Sequence, residues 1–209
     1  MKKQTRMREM LELAPVVPVL TVEDVEVAVP LARALVAGGL PVLEVTMRTE
    51  AALAVVAAMK KVEGAVVGAG TVVSPAMARD CHDVGCEFIV SPGTTADLIA
   101  VASKIDIPFL PGVATASEAM SLAADGFEVC KFFPAGPAGG IPYLKALSAP
   151  LPHMLFCPTG GIDASSAPDY LVLPNVLAVG GSWVAPADAM AAGDFERIER
   201  LASEASVLA

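Results

Sequence analysis

Eight times along the chain, a short run of successive apolar residues is followed by polar capping chemistry and a segment of helical length. The runs are PVVPVL (15–20), VLEVT (42–46), AVVGAG (65–70), FIVS (88–91), PFLPG (108–112), EVCKFF (128–133), MLFCPT (154–159) and VLAVGG (176–181). Strands that are apolar at successive rather than alternate positions are buried on both faces, which marks a parallel sheet covered by helices. The first helix of the series is predicted from the polar cap at 21–24 to Ala37, closed by Gly38-Gly39. Others are expected from Thr49, Ser74-Pro75, Thr94 and Thr115, after Gly140, from Asp163, and finally toward the C-terminus. Eight strand-helix units in a row predict an α/β fold, a closed (β/α)₈ TIM barrel. A short amphipathic helix precedes it, with Arg6, Arg8, Glu9 and Glu12 spread along it. At 209 residues the chain is near the short end for that fold and long enough for one filled core, so 1–209 reads as a single domain. The alternative is an open doubly wound sheet. GAGTVV (68–73) resembles a dinucleotide loop, but Val73 stands where a third glycine is needed and no acidic residue ends a second strand appropriately.

A formal net charge of −9 leaves no basic stripe to neutralise a phosphate backbone, so nucleic acid is not an expected partner. The charged N-terminal helix lacks the unbroken apolar stretch of a signal peptide. The longest uncharged stretch, 170–187, is broken by Pro174, Pro186 and Gly180-Gly181, so no membrane span is expected and the reading is cytoplasmic. Four cysteines at 81, 86, 130 and 157 show no C-x-x-C spacing, which argues against a disulfide or zinc framework. His82 and His153 lie away from the strand ends and read as surface or structural residues, and no metal is expected.

Chemistry concentrates on EVCKFFPA (128–135), where Lys131 interrupts a run that otherwise reads as a buried strand. Burying an unpaired ammonium is expensive, and desolvation favours the neutral, nucleophilic amine that forms a Schiff base with a carbonyl. A lysine reaching solvent or an ordinary ion pair is the plain alternative. In a barrel, reactive groups gather at the C-terminal ends of the strands. Glu44, Thr46 and Arg48 fall there on the second strand with period-two spacing, Thr71 after the third and Thr159 after the seventh. Glu44 is therefore the natural partner of Lys131. TGGI (159–162) and GGSW (180–183) end the seventh and eighth strands, where barrel enzymes hold phosphate on backbone N–H groups and helix N-termini. Ser182 adds a hydroxyl donor.

Together, PVVPVL, VLEVTMRTE, VGAGTV, VSPG, LPGVAT, CKFFPA, CPTGGI and GGSWV resemble, in order and over nearly the whole chain, the 2-keto-3-deoxy-6-phosphogluconate (KDPG) aldolase and 4-hydroxy-2-oxoglutarate aldolase family. The resemblance implies a Schiff-base aldolase on a (β/α)₈ barrel, usually a homotrimer, that releases pyruvate and glyceraldehyde 3-phosphate from a phosphorylated 2-keto acid. Carried over residue by residue, it makes Lys131 the Schiff-base lysine and Glu44 the general acid/base. Arg48, Gly70 and Thr71 position the carboxylate half, Pro92 and Phe133 form the apolar wall, and Thr159 contacts a hydroxyl. Gly160, Gly161, Gly181 and Ser182 hold phosphate. No metal or organic cofactor is implied. Related members act on 4-hydroxy-2-oxoglutarate or decarboxylate oxaloacetate. Some relatives carry an arginine at the end of the first strand; this chain has Leu20, Thr21 and Val22 there. Two further readings are a non-catalytic sugar-phosphate-binding barrel, and a phosphate-binding barrel isomerase or decarboxylase. No Asp-x-Lys-x-x-Asp pattern surrounds Lys131.

Overall fold

The runs apolar on both faces become short parallel strands, and the segments between them become helices laid against the outside. A computed structural model describes residues 2–208. The chain opens with α1 (Lys2–Leu11), β1 (Val16–Leu20), α2 (Ala28–Ala37), β2 (Val42–Thr46), α3 (Ala52–Met59), β3 (Val66–Gly70) and α4 (Pro75–Asp83). It continues through β4 (Ile89–Val90), α5 (Ala96–Lys104), β5 (Phe109–Leu110), β6 (Gly112–Val113), α6 (Ala116–Ala124) and β7 (Val129–Phe132). It ends with α7 (Gly140–Ser148), β8 (Leu155–Pro158), α8 (Ala167–Leu171), β9 (Val179–Gly181), α9 (Ala187–Ala192) and α10 (Phe195–Ser206).

The strands pair in parallel in the orders β5-β4-β3-β2-β1-β9 and β6-β7-β8, a curled α/β arrangement. The predicted fifth strand is split at Pro111. Proline has no N–H to give a ladder, so the chain pairs with β4 before Pro111 and with β7 after it. The Pro111 carbonyl still accepts from Lys131 N at 2.9 Å. Beyond the named strands, parallel bridges join Phe156 to Val176 and Thr159 to Gly180.

Period-two alternation sorts the inner face into layers. Val17, Val42, Val90, Leu110, Val129 and Cys157 form an apolar cluster closed at one end by Met7 and Leu11 of α1. Two residues further along β2 and β7, the same face carries Glu44 and Lys131. Polar groups thus collect toward the C-terminal ends because the positions before them are filled with hydrocarbon. The larger core lies outside, between sheet and helices, and includes Leu31, Leu35, Val55, Leu98, Leu122 and Phe156.

Helix α1 is pinned by two side chains. Buried Gln4 donates through Nε2 to Phe109 O at 3.1 Å and accepts through Oε1 from the N–H groups of Glu128 and Val129, both at 3.2 Å. Lys3 Nζ donates to the carbonyls of Ala102, Ser103 and Ile105, capping the end of α5.

Several helix starts differ from expectation, each because a polar side chain has another partner. Thr49 donates to Val22 O at 2.8 Å instead of capping, and α3 begins at Ala52. Thr94 donates to Gly112 O at 2.9 Å, leaving Thr95 as the cap of α5. Asp163 closes a local turn by accepting from Ser165 N and Ser166 N, so α8 starts only at Ala167. The single last helix is broken at Gly193, whose φ of 65° suits glycine, and Asp194 caps α10. Ser74 with Pro75 and the Thr115–Glu118 capping box begin α4 and α6 as predicted.

Candidate active site

Lys131, on β7, is only 5% exposed, and Glu44, on β2, only 3%. Lys131 Nζ lies 3.0 Å from Glu44 Oε1 and 3.3 Å from Oε2. An unpaired charge at either position would cost several kcal/mol, on the order of the penalty for a buried ion, so each side chain is held by the other. The ammonium also stands 5.5 Å from the centre of the Phe133 ring, a favourable cation–π placement. Cys157 is in register with Lys131 on the neighbouring strand. Burial pushes the Cys157 thiol up to about 12, so it stays protonated and does not rival Glu44 for the lysine.

Gly70 makes room for this pair. It pairs in register with Thr46, and a Cβ there would stand 2.1 Å from Glu44 Oε1. The next residue, Thr71, adopts φ of 59°, and its hydroxyl accepts from Arg48 Nε at 3.2 Å. A β-branched residue in the left-handed region costs roughly 1–3 kcal/mol and is held there by its surroundings. Thr71→Gly should therefore raise thermal stability by about 0.5–1 kcal/mol, less than the full strain because glycine loses more backbone entropy on folding. It should also release Arg48, which loses its anchor, and so weaken binding of a small carboxylate in the neighbouring cleft. A melting curve and a calorimetric titration with pyruvate on one preparation test both halves.

Lys131 opens onto a cleft of about 240 Å³ at the C-terminal ends of the strands. Of the residues predicted from the sequence, Arg48, Lys131, Phe133, Thr159, Gly160, Gly161, Gly181 and Ser182 line it. Glu44, Gly70 and Thr71 do not line it but touch residues of the site: Glu44 is bonded to Lys131, Gly70 abuts Glu44, and Thr71 is bonded to Arg48. Pro92 is not among the lining residues; it backs Gly112, whose added Cβ would meet the Pro92 carbonyl carbon at 2.4 Å. Gly112 is in turn the register partner of Lys131.

The glycine loops are shaped by close approach. Gly160 and Gly161 take φ of 98° and 76°. Gly181 has the Trp183 ring in the space a Cβ would need, and Gly180 likewise yields to Thr159 Oγ1. Helix N-termini do not directly follow these loops, contrary to expectation. The segments 163–166 and 184–186 intervene before α8 and α9, so anion binding there would rest on backbone N–H groups and Ser182.

Four lining residues are not among the site residues expected from the sequence: Val19 and Thr21 at the end of β1, and Ile162 and Gly180 within the two glycine loops. Thr21 reads in the sequence as helix-cap chemistry. The signal for Thr21 was present: it lies two positions after Val19, which also faces the cleft. A larger hollow of about 470 Å³ at the opposite end is lined by Lys2, Lys3, Gln4 and Phe109 among others, and its Lys3 is already committed to carbonyls. His82 and His153 are exposed, as expected. Among the described residues, no three His, Cys, Asp or Glu side chains converge, and no helix is long and apolar enough to cross a membrane.

The family model for KDPG and KHG aldolase matches residues 7–201. The KHG/KDPG aldolase of Escherichia coli (strain K12) is 48% identical, over 97% of this chain and 95% of that protein. The crystal structure of the 2-keto-3-deoxy-6-phosphogluconate aldolase of Zymomonas mobilis ZM4 with 3-phosphoglycerate superposes with a TM-score of 0.91 at 50% identity, covering 96% and 95% of the two chains. A KDPG aldolase from Legionella pneumophila, with pyruvate captured at low pH as a covalent carbinolamine intermediate, gives 0.93 at 42% identity, covering 95% and 97%. A buried lysine–carboxylate pair, a glycine-lined cleft and similarity over nearly the full length agree: the chain belongs to the KDPG and KHG aldolase family.

Proposed function

We propose that this chain is a class I, Schiff-base aldolase that cleaves 2-keto-3-deoxy-6-phosphogluconate to pyruvate and glyceraldehyde 3-phosphate. The observation that carries this reading is the buried Lys131–Glu44 pair at 3.0 Å, opening onto a cleft whose far side is built from glycine loops and Ser182. The carbinolamine of pyruvate in the Legionella relative supports it.

Arg48, steadied by Thr71, holds the substrate carboxylate with C2 over Lys131. Once Lys131 has passed a proton to Glu44, its lone pair attacks the C2 carbonyl and gives a carbinolamine. Glu44 returns the proton to the departing hydroxyl, water leaves, and an iminium remains. Glu44, again a carboxylate, takes the proton of the C4 hydroxyl as the C3–C4 bond breaks. The bonding pair flows into the iminium to give an enamine, and C4 leaves as the aldehyde carbon of glyceraldehyde 3-phosphate. Protonation at C3 and addition of water release pyruvate and restore the amine. The water expelled at the start balances the one consumed at the end. Phe133 and Pro92 supply apolar surroundings, Thr159 meets a substrate hydroxyl, and Gly160, Gly161, Gly181 and Ser182 receive the phosphate.

The reading requires no metal or organic cofactor, and it extends to side activities on 4-hydroxy-2-oxoglutarate and oxaloacetate, which share the pyruvyl half. It further takes 1–209 as one domain closed into a (β/α)₈ barrel. Support comes from the bridge between Thr159 and Gly180 and from chain continuity through Pro111. Family resemblance supplies a cytoplasmic homotrimer.

The test is incubation with pyruvate, reduction with borohydride, and peptide mass spectrometry. A single reduced pyruvyl adduct on Lys131 is expected. Folded protein that forms none would instead be a sugar-phosphate-binding barrel.

A further inference from the structure

Thr21 lies at the end of β1, between β2, which leads to Glu44 and Arg48, and β9, which leads to Ser182. Its hydroxyl oxygen is 2.9 Å from that of Thr46. Thr46 is fully buried, and its hydroxyl donates to Leu20 O at 3.0 Å. A hydroxyl has one proton, so with that of Thr46 given to the carbonyl, the proton between the two threonines belongs to Thr21. Thr21 therefore turns lone pairs toward the cleft. The opposite polarity would take the Thr46 proton from Leu20 O, leaving that carbonyl without this donor.

An oxygen with only lone pairs on offer welcomes a donor and rejects another acceptor. Placed between the proton-transferring carboxylate and the anion loops, Thr21 faces the part of a ligand between the cleaved bond and the anion. With Thr159 and Glu44 both serving the C4 hydroxyl, the group left for Thr21 is the one on the next carbon, C5. In a 2-keto-3-deoxy sugar acid that carbon carries a hydroxyl donor. In 4-hydroxy-2-oxoglutarate it is a carboxylate, whose oxygens meet lone pairs head-on.

We propose that Thr21 is a specificity-determining residue, accepting a hydrogen bond from the C5 hydroxyl of the sugar-acid substrate and disfavouring a carboxylate at that position. The assignment rests on the aldolase reading above and refines it. Thr46 acts through Thr21 as a positioning residue, because its own bond to Leu20 O fixes the direction of the Thr21 proton.

The experiment compares kcat/KM for 2-keto-3-deoxy-6-phosphogluconate and for 4-hydroxy-2-oxoglutarate in the wild type, Thr21→Val and Thr21→Ser. In the valine variant the ratio of the first to the second should fall about three- to ten-fold, the value of one neutral hydrogen bond. Serine keeps the hydroxyl and should hold the ratio near that of the wild type. An unchanged ratio in the valine variant overturns the proposal. So does a serine variant that falls as far as valine, since the effect would then be one of shape. The pyruvate adduct on wild-type Lys131 is measured alongside, so a missing ratio effect in protein that still forms the adduct counts against Thr21 alone.

Discussion

Lys131→Met should reduce cleavage by roughly 10⁴-fold or more and abolish the borohydride-trapped adduct, while the protein still folds. Methionine fills a similar volume with a flexible apolar chain, so packing around the site changes little. The loss of charge changes more. Glu44 is 3% exposed and would be left facing an apolar layer with its partner gone. Removing one member of a buried pair costs about 3–5 kcal/mol, and the open cleft nearby places this site at the lower end, about 3 kcal/mol. Replacing both residues with apolar ones should recover much of that stability without recovering activity. Stability and turnover then separate: denaturant midpoints would track the pairing of charge, whereas the adduct and the rate would track the amine. A single variant that kept wild-type turnover would remove Lys131 from the chemistry, whatever its stability.

Gly70→Ala is the second change with a large expected effect, and it removes no reacting group. The new methyl would stand 2.1 Å from Glu44 Oε1 and 2.6 Å from its Cγ, so the carboxylate must swing away from Lys131. A displacement of about 1 Å at a proton-transferring group can cost about 10²-fold in rate. We expect turnover to fall by that order, with an overpacking cost of about 1–3 kcal/mol. Gly68→Ala is the matched control. One strand position pair earlier, its added Cβ would press on the Phe88 ring at 2.5 Å, in the apolar layer below the site. It should lose similar stability and keep turnover within a few-fold. Equal losses of turnover in the two variants would mean that Gly70 has no special relation to Glu44.

Much of this protein could be read before folding, and the parts that could not share a cause. The strands were visible as doubly buried apolar runs, and Lys131 stood out as a charge in one of them. The helix starts at Thr49, Thr94 and Asp163 were misplaced because a hydroxyl or carboxylate can cap a helix or bind elsewhere. Here these side chains bond elsewhere: Thr49 to Val22 O, Thr94 to Gly112 O, and Asp163 within the Ser165–Ser166 turn. Thr21 was overlooked for a related reason. A threonine beside Glu23 and Asp24 looks like capping chemistry, and nothing local says that Thr46, on another strand, will take its proton.

The sequence by itself determined the parallel α/β layering and the split between an apolar lower layer and a polar upper one. Both follow from the spacing of side chains along a strand, a local property. Tertiary structure alone decided that Glu44 and Lys131 meet at 3.0 Å, that Gly70 is the space in which Glu44 fits, and that Thr21 faces the cleft as an acceptor. Each of these depends on register between strands distant in the chain. Register is set by how all the apolar runs pack together, not by any one of them.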